Sequence, residues 1–195
     1  RVNACVRGED WPYFAGRPMQ PVVQLNLLQA PYVPENLRDV ALIAVFFDRE
    51  AMPVDAKNGD GWLLRAYPNL ECLQPLSAPS EFEKLRGRPA RYALLERDFP
   101  DWDDAANLNV SDDLSEGWED EFGSTEGSKL GGWPTLLQSE VFWAPNNEHY
   151  ASPQFAFQLA RMDKLKTSIP ADSFGYFGRG TSGAGGVWTF AWQSS

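Results

Sequence analysis

One histidine and two cysteines limit the chemistry that this chain can perform. His149 by itself completes neither an H-E-x-x-H zinc site nor a multi-histidine site, and no G-x-S-x-G nucleophile motif accompanies it. Cys5 and Cys72 lie far apart without the spacing of a metal site, so two reduced thiols are favoured and a disulfide is the alternative. A pairing of either cysteine with His149 would depend on the fold. These residue types predict no catalytic, cofactor-binding or metal-binding site.

Two sequence motifs resemble ligand-binding loops but lack a required part. Residues 178–183 fit the pattern G-x-G-x-x-G, yet a dinucleotide loop needs a following helix, whereas a strand pattern follows here. Residues 101–105 begin like a calcium loop, yet Ala105 stands at a ligand position and Ala106 at the position of the required glycine. We therefore predict a hairpin loop for the first motif and no specific calcium site in the second.

The negative charge of the chain is concentrated in residues 96–126, which we call the acidic insert. The insert contains twelve acids and one base, Arg97, and so carries −11, whereas the whole chain carries −10 and the remainder +1. Because affinity for nucleic acids depends on basic side chains that neutralise phosphates, direct binding to nucleic acid is disfavoured. The charge favours a basic protein partner instead.

Apolar side chains are spaced through the insert, which predicts a folded or half-folded acidic surface instead of a disordered tail. Aromatic residues among the acids are expected to anchor a partner, because buried aromatic side chains supply much of the binding energy at protein interfaces. The predicted partner-binding residues are Asp101, Trp102, Asp103, Asp104, Asp112, Asp113, Glu116, Trp118, Glu119, Asp120 and Glu121.

Short strand patterns dominate the rest of the chain and predict its architecture. Period-2 alternation or a buried apolar run predicts strands at residues 22–26, 40–47, 62–67 and 187–192. Residues 80–83 have the spacing of a helix capping box, and residues 92–95 fit either a strand or a helix. The composition is sufficient for the core of one domain over residues 1–195, or of two closely packed halves. The sequence thus predicts an α+β fold of mainly antiparallel β-sheets with short helices.

The order of features in residues 20–68 is repeated in residues 153–193. This repetition raises the hypothesis of two similar β-rich halves on either side of the acidic insert, with chance similarity between strand-like segments as the alternative. The matched pairs are Gln24 with Gln158, Phe47 with Phe177 and Trp62 with Trp188.

Several short motifs resemble those of one bacterial family. The sequence K-L-G-G-W-P occurs at residues 129–134, followed by Q-L at 158–159 and G-Y-F at 175–177, and similar strand motifs occur at 21–26 and 44–48. Together they resemble the YwqG-like family. The resemblance covers most of the chain except the acidic insert, and it implies a single YwqG-like domain built from antiparallel sheets with short helices. It supplies no catalytic residues, so no enzyme is expected.

The resemblance also implies a function, because family members occur among the immunity proteins of bacterial polymorphic toxin systems, including those that protect against type VI secreted nucleases. A nuclease needs basic side chains to hold phosphate, and a dense carboxylate surface competes for them. We therefore expect an immunity protein that neutralises a cognate antibacterial toxin, foremost a type VI secreted nuclease, by covering its basic surface. The alternatives are an intracellular protein-binding module unrelated to toxins and an enzyme with an unrecognised carboxylate site.

The hydropathy of the chain bears on its location. The longest apolar run, residues 40–47, falls far short of the roughly 20 residues that cross a bilayer. No signal peptide is visible either. We expect a cytoplasmic protein that does not associate with membranes.

Overall fold

A computed structural model describes most of the chain. The described residues are 4–6, 8–50, 53–71, 73–83, 87, 89–106, 110–122, 124–143, 153–160, 172–180 and 187–195. His149, Cys72 and residues 181–183 of the G-x-G-x-x-G motif lie outside them, so the predictions made for these residues stay predictions.

Strands far outnumber helices in the described part of the chain. The strands are β1 (Ala4–Val6), β2 (Tyr13–Phe14), β3 (Arg17–Pro18), β4 (Gln20–Asn26), β5 (Leu42–Phe47), β6 (Trp62–Tyr67), β7 (Leu73–Pro75), β8 (Lys129–Leu130), β9 (Gln154–Ala160), β10 (Ser173–Arg179) and β11 (Trp188–Ser194). The helices are α1 (Trp102–Ala106) and α2 (Trp118–Phe122), and 3₁₀ turns occur at Leu27–Gln29, Glu35–Leu37, Ser80–Phe82 and Asp112–Leu114.

Two antiparallel sheets form the body of the protein. Sheet 1 has the strand order β4-β5-β6 and sheet 2 the order β11-β10-β9-β8, and two smaller pairs join β1 to β7 and β2 to β3. All of these pairings are antiparallel. The predicted α+β fold of mainly antiparallel sheets with short helices is therefore confirmed.

The first three strands of each half follow the same course. In each half the first strand pairs with the second and the second with the third, and the first strand carries one extra residue as a β-bulge, Val22 in β4 and Ala156 in β9. Each bulge lies two residues before the glutamine that the sequence comparison matched. In the last two strands, Trp62 pairs with Phe47 and Trp188 pairs with Arg179. The register therefore places Arg179, not Phe177, at the position equivalent to Phe47.

Strand β5 explains why residues 40–47 are apolar without interruption. All six residues of this strand are buried, because it is the central strand of sheet 1 and both of its faces are covered. Ile43, Val45 and Phe47 belong to the core shared with sheet 2. Ala44 and Phe46 belong to a smaller cluster on the opposite face.

Aromatic side chains fill the core between the two sheets. Phe177 stacks on Phe157 with ring centroids 4.3 Å apart and an interplanar angle of 8°. Its ring also lies 5.0 Å from that of Phe190 and 6.1 Å from that of Trp62 in sheet 1. Such pairs add about 0.5–1.5 kcal/mol each to the free energy of area burial. Phe177 is thus a central contact between the sheets.

A buried arginine also links sheet 2 to the first half of the chain. The Arg179 side chain is 10% exposed, and it forms an ion pair with Asp39, whose side chain is 67% exposed. Its Nη1 donates to the carbonyl oxygen of Asn36 at 2.7 Å, while Asn36 Nδ2 donates to the carbonyl of Phe155 in β9 at 3.1 Å. The hydrogen bond from Arg179 lowers the pKa of the Asp39 carboxyl. Polar contacts thus supplement the aromatic core.

Two further features concern helices. The capping box at residues 80–83 predicted the start of a helix, and this prediction is wrong. Residues 80–82 form a 3₁₀ turn, and no side chain caps it. Phe82 is instead buried, and its ring stacks against that of Trp11 with centroids 5.6 Å apart. No helix among the described residues is long and apolar enough to span a bilayer.

Candidate functional site

The acidic insert is folded around its own cluster of aromatic side chains. The ring of Trp118 lies 5.6 Å from that of Trp102 and 4.9 Å from that of Phe122. Phe99 contacts Phe122 at 5.4 Å, and Trp118 Nε1 donates to the carbonyl oxygen of Pro100 at 3.0 Å. This aromatic cluster holds α1 and α2 together, as the spacing of apolar residues predicted.

The cluster changes the role expected for the two tryptophans. Trp102 and Trp118 were predicted to anchor a partner, but both are partly buried and their rings contact each other. Phe122 is 36% exposed and Leu114 is 52% exposed. These two residues, instead of the tryptophans, present apolar surface among the acids.

Asp98 anchors the start of the insert to the segment that follows it. Its Oδ1 accepts a hydrogen bond from the backbone amide of Thr125 at 3.0 Å, and its Oδ2 accepts one from that of Trp133 at 2.7 Å. Lys129 Nζ donates to both oxygens, at 3.0 and 3.1 Å, and the two side chains are only 11–12% exposed. Burial lowers the pKa of Lys129, and the bond to Asp98 opposes that shift. We call this arrangement the Asp98 cradle.

The cradle gives a physical reason for the K-L-G-G-W-P motif. Lys129 supplies the cation, and the amide that follows the second glycine donates to the carboxylate. A Cβ atom on Gly132 would lie 2.2 Å from Asp98 Oδ2, and the backbone there has φ +73°. Only glycine therefore fits at position 132.

Asp101 also serves the fold. Its Oδ1 accepts from Ser124 Oγ at 2.7 Å, and its Oδ2 accepts from the backbone amide of Leu136. Both oxygens of a predicted partner-binding residue are therefore used inside the protein. Partner binding by Asp101 stays a prediction, whereas the structure shows that its carboxylate fixes the insert to residues 124–136.

The remaining predicted acids differ in their exposure. Asp104 is partly buried, whereas Asp103 is exposed, and the side chains of Asp112 and Glu119 lie outside the described part. The predicted partner-binding acids that are exposed beyond α1 form what we call the acidic surface. It consists of Asp113, Glu116, Asp120 and Glu121.

Asp104 is unusual among the acids of the insert. Burial raises its pKa to about 6, and the nearby charges of Asp101, Glu140 and Asp103 add to the effect. Its Oδ2 atom is buried without a hydrogen bond from another described residue. A carboxyl group with a raised pKa suits acid–base chemistry when it faces a cleft, but Asp104 does not line the cavities that the described residues form at sheet 2 and the insert. The raised pKa of Asp104 therefore means that ionisation of this carboxyl group destabilises the folded insert.

The shifted pKa predicts that Asp104→Asn stabilises the protein near neutral pH. The folded-state pKa lies above the ordinary value of 3.8, so ionisation destabilises the folded protein as the pH rises from about 4 to 6. Because the side chain is partly exposed, we discount the effect to about 1–2 kcal/mol at pH 7. Urea unfolding at pH 4 and pH 7 measures it.

The matched control for Asp104 is Asp120→Asn, which alters an exposed acid of the same insert. It should change the free energy of unfolding by less than about 0.5 kcal/mol at either pH. An equal effect of Asp104→Asn at pH 4 and pH 7 would contradict the electrostatic explanation.

Sequence reasoning missed a set of buried polar side chains in sheet 2. Gln158 Oε1 accepts from the amide of Thr135 at 2.9 Å, and its Nε2 donates to the carbonyl of Gly127 at 2.7 Å. Gln193 accepts from the amide of Leu137 at 2.9 Å, and the Tyr176 hydroxyl donates to the carbonyl of Thr135 at 2.7 Å. Burial raises the pKa of this tyrosine. A glutamine inside an apolar strand was the available signal, because a buried amide requires partners.

Neither the arrangement of possible metal ligands nor comparison with known proteins assigns a function to this chain. Among the described residues, no group of three or more His, Cys, Asp or Glu side chains is placed to hold a metal ion. No family model matches the chain, and a comparison with the curated proteins also found no match. The resemblance to the YwqG-like family therefore stays a prediction.

Proposed function

We propose that the protein is an immunity protein that acts in the cytoplasm, where it binds a cognate antibacterial toxin and covers the toxin's basic surface. The proposal is supported above all by the folded state of the insert. Acids held on a fixed framework lose little conformational freedom on binding, whereas a disordered acidic tail must be ordered first. A type VI secreted nuclease is the partner class that fits best, because its phosphate site must be basic.

Charge and apolar surface have separate roles in this proposal. The acidic surface attracts the toxin and raises the association rate, which at low salt can approach about 10⁸–10⁹ M⁻¹s⁻¹ for oppositely charged proteins. The exposed side chains of Leu114 and Phe122 lie among these acids in the sequence, and they supply apolar contact after encounter. The inhibition needs no turnover, since occupancy of the toxin is sufficient.

The test neutralises three exposed acids of the acidic surface together. The variant Glu116→Gln/Asp120→Asn/Glu121→Gln should bind the toxin encoded beside this gene roughly 3- to 150-fold more weakly, since each exposed charge pair contributes roughly 0.2–1 kcal/mol. Surface plasmon resonance between about 50 and 500 mM salt measures the affinity and its salt dependence. Survival of cells that co-express the toxin measures protection.

A control variant with the same change in charge is available elsewhere on the protein. Asp60→Asn/Glu71→Gln/Glu81→Gln alters three exposed acids outside the insert, and it should leave affinity and protection unchanged. Equal losses in both variants, or binding that ignores salt, would contradict the proposed surface. The absence of any interaction with the neighbouring toxin would overturn the immunity role itself.

A further inference from the structure

A groove lies where the acidic insert joins sheet 2. Its volume is about 480 Å³, and it is lined by residues 91–95, which lead into the insert, and by residues 128–132, which lead out of it. The other lining residues are Pro31, Tyr32, Asp98, Thr125 and Glu126. The side chains of Leu94, Leu95 and Tyr32 are 60%, 50% and 55% exposed. Both polar backbone and apolar side chains are thus open to an occupant.

Strand β8 presents an open edge to this groove. It is the last strand of sheet 2 among the described residues, and it pairs only with β9. The Gly131 amide donates to the carbonyl of Ala156 at 2.8 Å, and Leu130 lies opposite Phe157. Because hydrogen-bonded and non-hydrogen-bonded pairs alternate in antiparallel sheets, the N–H and C=O groups of Leu130 point away from β9. No described residue pairs with them.

Residues 91–97 provide a second unpaired backbone beside the same groove. They form neither helix nor strand, and none of their backbone groups is hydrogen-bonded to another described residue. Residues 92–95 were predicted to form either a strand or a helix, and in the structure they form neither. Two segments, each with hydrogen-bonding groups that no described residue uses, therefore flank one cavity.

We propose that this groove binds an extended segment of the partner protein, which adds to the edge of β8 as a further strand. Strand addition uses the main chain for affinity and side-chain pockets for specificity. The charged lining of the groove is balanced, with Arg91 and Lys129 against Asp98 and Glu126, but the groove lies at the foot of the insert, which carries −11. A segment that alternates basic and apolar residues complements this charge and the exposed leucines. The identity of the partner rests on the proposed function, but the groove and its chemistry do not.

A synthetic peptide tests the groove on the full-length protein. The probe is an acetylated and amidated heptapeptide of alternating lysine and valine, and the comparison peptide has the same sequence with every residue N-methylated, so that neither edge of the peptide can donate. N-methylation removes the backbone donors that a β-strand needs but keeps the charge and the side chains. NMR titration should show shifts at Leu130 and residues 91–95 with the first peptide, and the N-methylated peptide should bind at least tenfold more weakly.

Protein variants locate the binding. Leu94→Arg places a bulky cation in the groove and should weaken binding of the unmodified heptapeptide at least tenfold. Leu28→Arg makes the same change at a position that is 68% exposed and outside the groove lining, and it should bind like the original protein. Both residues are exposed, so neither change should prevent folding.

Three outcomes would overturn the proposal. The first is equal binding of the two peptides, which would reveal charge attraction without strand pairing. The second is no binding of either peptide. The third is dimerisation of the free protein through β8 in analytical ultracentrifugation, with Leu94→Arg giving monomers. None of these outcomes affects the acidic surface, whose test is protection from the toxin. Loss of protection in the triple-acid variant with no peptide binding would therefore reject the groove alone.

Discussion

Asp98→Ala is expected to lower the free energy of unfolding by about 3–5 kcal/mol, because it leaves the buried Lys129 charge without its partner. The same change removes the acceptor of two backbone amides, those of Thr125 and Trp133. Each unsatisfied buried donor costs roughly 1–3 kcal/mol where water cannot replace the lost bond. Urea unfolding followed by tryptophan fluorescence measures the change. The loss should be easy to detect because the free energy of unfolding of a whole domain is only about 5–15 kcal/mol.

Two companion variants separate the charge from the hydrogen bonds at the Asp98 cradle. Asp98→Asn keeps an acceptor oxygen and should lose less stability than Asp98→Ala. The double change Asp98→Asn/Lys129→Met removes both charges and should recover part of the remaining loss. Asp113→Ala, at an exposed acid of the same insert, should be neutral within about 0.5 kcal/mol. A cost for Asp98→Ala no larger than that of Asp113→Ala would show that the cradle contributes nothing to stability.

Phe177→Ala should destabilise the protein by about 3–5 kcal/mol, as large aromatic-to-alanine changes do in packed cores. Phe177 is completely buried, and its ring contacts Phe157 and Phe190 within sheet 2 and Trp62 across the interface. Truncation therefore opens a cavity between the two sheets. Thermal and urea unfolding should show the loss, while protection from the toxin should persist at temperatures where the variant is still folded.

Phe142→Ala is the matched control for Phe177→Ala, because its ring is 66% exposed. It should change stability by less than about 0.5 kcal/mol. A conservative Phe177→Leu variant should fall between the two. Similar stabilities for Phe177→Ala and Phe142→Ala would mean that the aromatic contacts across the sheets are not what holds them together.

The strands were predictable because their hydrophobic patterns are local. Residues 42–47 are apolar at every position, which fits a central strand with both faces covered, and Trp62 and Trp188 begin corresponding strands, as the sequence comparison suggested. The match between Phe47 and Phe177 was wrong by two residues, since residue type alone does not fix register. The capping-box spacing at residues 80–83 also misled, because burial of Phe82 against Trp11 overrides a weak local preference.

The acidic insert was predictable as a folded segment but not in its details. The spacing of its apolar residues predicted a folded surface, but the aromatic residues were expected to anchor a partner, whereas Trp102, Trp118 and Phe122 pack against one another. The orientation of individual acids depends on contacts that are distant in sequence: Asp98 bonds to Trp133 and Asp101 to Leu136. No pattern along residues 96–126 distinguishes these inward carboxylates from the outward Asp120. Only the fold does so.

The two ends of the insert meet at a common stem, since Asp98 bonds to Thr125 and Asp101 to Ser124. A loop whose ends already lie together can be lengthened, shortened or rewritten at little entropic cost, because closure entropy rises only slowly with length. Under the proposed function, selection for binding to a different toxin could therefore change the sequence between residues 102 and 122. Asp98, Asp101 and both sheets would stay as they are. The binding specificity of the insert would then change without any change in the fold of the two sheets.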